Sequence, residues 1–322
     1  MRLKAWFVVL LALATAAAWL AAYSRSQPLV VAVHPWIGYE SLSLAQELGW
    51  LPHEVALRHG HSTADSMAAL QAGTVDAATL TLDEVLRLRA AGTPLTVVLI
   101  MDSSNGADEL LTRPQITTLA ALAGKRIGYE PTAVGALVLS EVLARAGLAS
   151  GDVTLIHLPL TGQLAAWNAG EVDAVITYAP TATLLKHAGA TPLFDSRQMP
   201  DTIFDVLAIR RDRIAGRETA LRALLKAHFM ALDHLRHSRP DALHRIATRQ
   251  RISPEDVEQA LGGVTLPDLA GNRYALGPGS RFQSATQRLN ELMVERGILA
   301  NPDPLDHINS PAYLPTPDAT SR

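Results

Sequence analysis

The side chains of this sequence best suited to hold a small molecule follow short apolar runs. Trp36 and Tyr39 come after Val30–Val33, and Thr81 after Val75–Thr79. Asp102, Ser103, Ser104 and Asn105 come after Leu95–Met101, Glu130 and Thr132 after Arg126–Tyr129, and Tyr178 after Val172–Thr177. Rings offer stacking surface, hydroxyls and amides exchange hydrogen bonds, and carboxylates accept them. That is binding chemistry. Each residue also has a plainer reading. Trp36 and Tyr39 can cap a domain, residues 102–105 can bond their own backbone, Thr132 can cap a helix, and Tyr178 can pack at a hinge. Glu40, Asp83, Asp102, Asp108, Glu130, Asp195 and Asp205 are the acids at such ends, and no arginine stands there. The balance favours a ligand with amine or ring N–H donors, although a helix starting near Ala133 offers free N–H groups to an oxyanion.

Covalent chemistry has little support. There is no cysteine, which removes thiolate nucleophiles, disulfides, thiolate metal sites and an N-terminal lipidated Cys. No G-x-S-x-G, P-loop or dinucleotide fingerprint is present; Lys125 follows Gly124, but Leu119 stands where the phosphate loop needs glycine. His53, His59 and His61 lack a carboxylate at ligand spacing, and His234 and His237 lie one turn apart on a Leu-faced helix. No catalytic residue, metal site or cofactor is expected.

The elements that must position these residues alternate as strand and helix from residue 28 to about 210, the pattern of parallel βα units. Their strand ends are where such sheets take ligands. Gln71-Ala-Gly-Thr-Val-Asp-Ala-Ala-Thr-Leu-Thr81 is echoed by Asn168-Ala-Gly-Glu-Val-Asp-Ala-Val-Ile-Thr-Tyr178. Val30–Val33 running into Trp36 is echoed by Arg126–Tyr129 running into Glu130. Two similar lobes enclosing a cleft are the simplest explanation. Asp76 and Asp173, matched in the two echoes, read as structural acceptors before a strand. After Arg210 the chain turns helical, with Leu221, Leu224, Leu225, Leu232 and Leu235 on one face of Arg217–Ser238. Ser253-Pro254 reads as a helix start. The expected division is 28–113 plus 211–300 for lobe one, 114–210 for lobe two, and a Pro-rich tail over 301–322, extended or disordered.

Length, 322 residues, suffices for two cores, and a net charge of −3 offers no basic field for nucleic acid. Residues 1–24 read as a signal peptide or an N-terminal anchor: Arg2 and Lys4 precede the apolar run Ala5–Ala22. That run exceeds a typical signal core and just reaches the roughly 18 residues of a possible span. Ala22-Tyr-Ser24 suits cleavage. Either way the body is exported, to the periplasm, with inner-membrane contact only through an uncleaved segment. Cleavage would remove Arg2 and Lys4 and no acid, taking the net charge from −3 to −5.

Trp36-Ile-Gly-Tyr-Glu-Ser-Leu-Ser-Leu-Ala-Gln-Glu-Leu-Gly49 resembles the first loop and helix of ABC-importer substrate-binding proteins of the nitrate, sulfonate and taurine type, which include thiamine-pyrimidine binders. Ala72-Gly-Thr-Val-Asp-Ala77, Ala169-Gly-Glu-Val-Asp-Ala174 and Leu119-Ala-Ala-Leu-Ala-Gly-Lys-Arg-Ile-Gly128 are similar to that family's repeated strands and its entry to lobe two. The resemblance covers residues 28 to 210. It implies a two-lobed type II periplasmic-binding-protein fold, α/β, with two crossovers near Arg113–Thr118 and Asp205–Arg211 and a helical C-terminal region packed on lobe one. It further implies a monomer that closes on a solute and hands it to an ABC permease and its ATPase. The rivals are a membrane-anchored ligand sensor and an enzyme of thiamine-pyrimidine synthesis, the latter requiring His and Cys chemistry.

Overall fold

The computed structural model describes residues 28–130 and 133–316. Its first strand, β1 (Leu29–Val33), is an unbroken aliphatic run, as a strand covered on both faces must be. Parallel to it on either side lie β2 (Val55–His59) and β3 (Ala77–Thr81). Helices α1 (Glu40–Glu47), α2 (Thr63–Gln71) and α3 (Leu82–Ala90) make the connections. β4 (Leu95–Ser104) then crosses to the far side of this sheet.

The second sheet repeats the arrangement. β6 (Arg126–Tyr129) lies between parallel β7 (Thr154–His157) and β8 (Ala174–Thr177). Its helices are α4 (Ala133–Ala146), α5 (Leu160–Asn168) and α6 (Thr181–His187). Each sheet is completed by an antiparallel strand from a crossover. β5 (Glu109–Thr112) pairs with β8 and with β9 (Thr191–Asp195), while β10 (Phe204–Arg210) pairs with β3 and β4. The orders β2-β1-β3-β10-β4 and β7-β6-β8-β5-β9 are therefore equivalent, and a short β11 (Val264–Thr265) extends the first.

The echoed aspartates explain the shared register. Asp76 Oδ2 accepts from Val30 N–H at 2.9 Å, and Asp173 Oδ2 accepts from Arg126 N–H at 2.9 Å. In both lobes a carboxylate entering one strand satisfies the donor that opens its neighbour, as the structural reading anticipated.

Both crossovers fall earlier than expected. The chain leaves the first sheet after Ser104, not near Arg113–Thr118, because Glu109–Thr112 already pairs in the second. It returns between Asp195 and Phe204, not near Asp205–Arg211, because Phe204–Arg210 is an interior strand of the first sheet. The sequence between these strands is only locally readable, whereas their partners lie far along the chain.

The C-terminal helices pack on the first sheet. Among them α7 (Glu218–His237) faces α1, with Ser41 Oγ 2.8 Å from His228 Nδ1, and α8 (Arg239–Gln250) supplies Arg249 to Glu40 and Glu47. In α10 (Leu269–Ala275), which follows α9 (Pro254–Leu261), Asn272 both accepts from Ile100 N–H at 2.8 Å and donates to its carbonyl at 3.1 Å. The last helix, α11 (Arg281–Glu295), lies against α3. The Pro-rich segment to residue 316 wraps the same lobe. Asp303 forms a buried ion pair with Arg89 at 2.8 Å, and Asn309 bridges to Val97 beside β4. No helix among the described residues is long and apolar enough to cross a membrane, and residues 1–24 lie outside them.

Candidate functional site

The strand ends of the two sheets face each other across a small buried cavity of about 20 Å3. The first lobe contributes His34, Trp36 and Tyr39 after β1, Thr63 at the start of α2, Thr81 and Glu84 where β3 turns into α3, and Asp205 on β10. From the other side come Asp108, in the first crossover, Val134 in the first turn of α4 and Tyr178 after β8. Asp108, Val134 and Tyr178 also line a second cavity of about 10 Å3, with Glu130, Gln163 and Thr177. Tyr178 thus stands in the wall between two spaces, each with room for roughly one water-sized body.

The lobes meet through rings. Trp36 packs edge-on against Tyr178 with centroids 5.1 Å apart, and Tyr39 lies 6.5 Å from Trp36 and 5.1 Å from His34. Trp36 Nε1 donates to Asp102 Oδ2 at 3.0 Å, and Tyr39 Oη donates to Asp205 Oδ1. Gly38 makes this packing possible. A Cβ there would stand 1.7 Å from Asp102 Oδ2 and 2.7 Å from Trp36 Nε1.

Behind the rings is a group of buried acids. Asp102 and Asp205 are direct partners in the β4–β10 register, so their side chains share one face. Asp83, Glu84 and Asp108 lie in the same field, each fully covered. Among the described residues, none of these five carboxylates forms an ion pair with a lysine or arginine. Burial pushes Asp102 and Asp108 up to about 7 and Asp83 to about 6. Burial and then the charge of Asp83 take Glu84 to about 8, while burial and then Asp102 hold Asp205 well above the usual carboxylate range. Burial drives His34 the other way, to about 4, so it is a neutral ring at ordinary pH. Burial also raises Glu130, whose Oε2 accepts from Tyr178 Oη at 3.4 Å.

The residues singled out from sequence divide clearly. Trp36, Tyr39, Thr81 and Tyr178 line the first cavity, Glu130 lines the second, and Asp102 supports Trp36 from behind. Ser103, Ser104 and Asn105 are elsewhere. Residues 102–104 continue β4 instead of forming a turn, because β10 and β11 pair along them. Ser104 Oγ is 2.7 Å from Ser196 Oγ and receives Asp108 N–H, while Asn105 is exposed in a separate groove near Lys186. Thr132 lies outside the described residues. Of the other acids, Glu40 is bound by Arg249 and Gln250, and Asp195 by Arg197. Thr63 and Glu84 escaped sequence reading. The signal for Glu84 was Thr81-Leu-Asp-Glu84, a capping-box spacing, and Glu84 Oε2 does accept from Thr81 N–H at 2.9 Å.

Two duplicated sheets with aromatic and polar side chains meeting at their strand ends define a two-lobed periplasmic-binding-protein fold. The NMT1/THI5-like family model matches residues 40–241, and the chain belongs to that family. It is 23% identical over 213 residues to the taurine-binding periplasmic protein of Escherichia coli (strain K12), a match spanning 63% of this chain and 66% of that protein. Among solved structures, the alkanesulfonate-binding protein SsuA from Xanthomonas axonopodis pv. citri, bound to MOPS, superposes with a TM-score of 0.70 at 21% identity, over 85% of this chain and 95% of that one. The ligand-binding component of an ABC-type import system from Staphylococcus aureus, with zinc bound, gives a TM-score of 0.74 at 16% identity, over 89% and 98%.

Proposed function

We propose that this protein is an extracytoplasmic solute-binding protein that delivers a small organic solute to an ABC importer. The observation that carries the reading is the convergence of Trp36, Tyr39, Thr81 and Asp205 from one sheet with Asp108 and Tyr178 from the other on a single enclosed space. Such a site performs no chemistry. It takes a solute while the lobes are apart and buries it when they close, and the joined outer surface of the lobes is what the permease reads. Cavities of about 20 and 10 Å3 are far below the several hundred Å3 of ordinary ligand sites, so entry requires separation at the Trp36–Tyr178 contact. Swinging Tyr178 aside would merge the two spaces. The family relationship and the likeness to binding proteins named for taurine and alkanesulfonates support transport, with a monomer in the periplasm as the working form.

The test is direct. Protein recovered from the envelope of its own cells is washed, heat-denatured and its released small molecules weighed by mass spectrometry. One compound at near-equimolar yield is expected, and cells lacking the protein should lose uptake of it. Tyr178→Ala should release none and fail to restore uptake. Full uptake with the Tyr178→Ala protein, or no retained compound in the native one, would contradict the proposal.

A further inference from the structure

Resting on the solute-binding reading, we infer that the solute is a cation carrying several N–H donors, such as a protonated amine, amidine or guanidine, and that Asp102, Asp108 and Asp205 are its counter-charges. The charge of the site points there first. Among the described residues no lysine or arginine lines either cavity, and the one histidine facing the larger, His34, is fully enclosed. A sulfonate, nitrate or carboxylate would therefore enter with no counter-charge and meet acids instead.

Unused bonding capacity is the second, independent observation. Asp205 Oδ1 receives Tyr39 Oη, yet Asp205 Oδ2 is buried without an N–H donor. Asp108 Oδ2 likewise has none, and both residues line the cavity. Immediately behind, Asp102 Oδ2 receives Trp36 Nε1, and the Asp102 carboxyl also hydrogen-bonds to Asp205, so this pair holds a proton where a cation would supply N–H donors. Buried acceptors without donors are rare because each carries a desolvation penalty. Here Asp108 Oδ2, on the crossover, has no donor, and the Asp102–Asp205 pair on two neighbouring strands has only a shared proton between its facing carboxyls. The chemical complement of several lone pairs is a group with several N–H donors and a positive charge. A quaternary ammonium, which has no N–H, would leave them unsatisfied.

Rings supply the remaining recognition. Trp36, Tyr39 and Tyr178 enclose the same space, and aromatic faces attract cations. The start of α4, where Val134 reaches the cavity, would by itself favour an anion. Glu130, three residues upstream and largely buried, offsets that preference with its own charge.

Titration calorimetry on the full exported protein tests the assignment. The probes are putrescine, agmatine and benzamidine against taurine, ethanesulfonate and nitrate. At least one N–H-bearing cation should bind, and the anions should not. Affinity should rise about tenfold from pH 6 to 8, with protons released on binding, because a cation favours the ionised carboxylates. The groups facing Asp102 and Asp205 that share this titration are Glu84 and Asp108, with Tyr39 and Tyr178 beside them. Asp205→Asn should weaken the cation at least tenfold and abolish most of the proton release. Circular dichroism and melting confirm that this variant is folded, and Asp108→Asn serves as a second variant with the same expectation. Binding of an anion and of no cation would overturn the cation assignment and leave the solute-binding reading intact. Binding of neither class would overturn the assignment as well, and retained-ligand mass spectrometry then judges the solute-binding reading separately.

Discussion

Gly38→Ala is expected to abolish solute binding while the protein still folds. The added methyl would stand 1.7 Å from Asp102 Oδ2 and 2.4 Å from its Cγ, distances no non-bonded pair of atoms sustains. Something must shift, and nothing nearby is free to do so cheaply. Asp102 is fully buried on β4, opposite Asp205 in the register, and its carboxylate holds the Trp36 indole. Overpacking of this kind costs about 1–3 kcal/mol. Rotation of Asp102 would also release Trp36 Nε1 and move the ring that meets Tyr178, so the effect on affinity should exceed a hundredfold. Gly151→Ala, where a new Cβ meets nothing within 4 Å, is the matched control and should bind normally. Calorimetry with the solute released from the native protein makes the comparison. Normal affinity in Gly38→Ala would mean that Trp36 and Asp102 do not shape the site.

A second large effect concerns stability against pH. With Asp102 and Asp108 near 7, Glu84 near 8 and Asp205 held well above the usual carboxylate range by burial and by Asp102, the folded protein holds protons that the unfolded chain gives up near pH 4. Stability from these groups is complete below about pH 4 and is lost as pH rises through their folded values. His34 and His228, lowered to about 4 and about 3, work in the opposite sense. They stay neutral when folded and charge when unfolded, so their destabilising effect appears only below about pH 6.5. Between about pH 6.5 and 8.5 the acids act alone, and stability without ligand should fall by something on the order of 3 kcal/mol. Urea unfolding at the two pH values measures it. The double variant Asp102→Asn, Asp205→Asn should flatten the slope, because the asparagines have nothing to ionise. A native protein that is equally stable or firmer at the higher pH would show that the acids are already ionised in the closed form.

Much of this architecture could be read from local sequence. β1 is a short aliphatic run and β6 a short, mostly buried segment, each followed by a polar turn, and Asp76 and Asp173 mark the same place in each lobe. The placing of Trp36 and Tyr178 beside the space between the sheets was legible for the same reason, since Tyr178 directly follows β8 and Trp36 comes three residues after β1. What could not be read depends on distant partners. Asp102–Ser104 has the composition of a turn, and only pairing with Phe204, Asp205 and the residues of β11 draws it into a strand. Glu109–Thr112 has four residues and no clear alternation, and becomes a strand because β8 and β9 hold it on both sides. Glu84 has a sufficient local explanation in its bond to Thr81 N–H, which concealed its place beside the cavity. The absence of arginine from the turns after β1, β3, β4, β6 and β8 was visible from the outset. What gives it meaning is the set of buried acids without cationic partners assembled by β4, β10 and the crossover between the sheets.

The central claim is that two lobes close on a solute, and the separation between them reports it most directly. The chain has no cysteine, so a single pair of spin labels can be placed cleanly. His53→Cys in the first lobe and Glu171→Cys in the second put labels at exposed positions away from the cavity. Pulsed electron-electron resonance should show a broad or two-component distance distribution without solute, collapsing to one narrow short distance when the natural solute is added. A single distance, unchanged by a solute that calorimetry shows to be bound, would contradict closure.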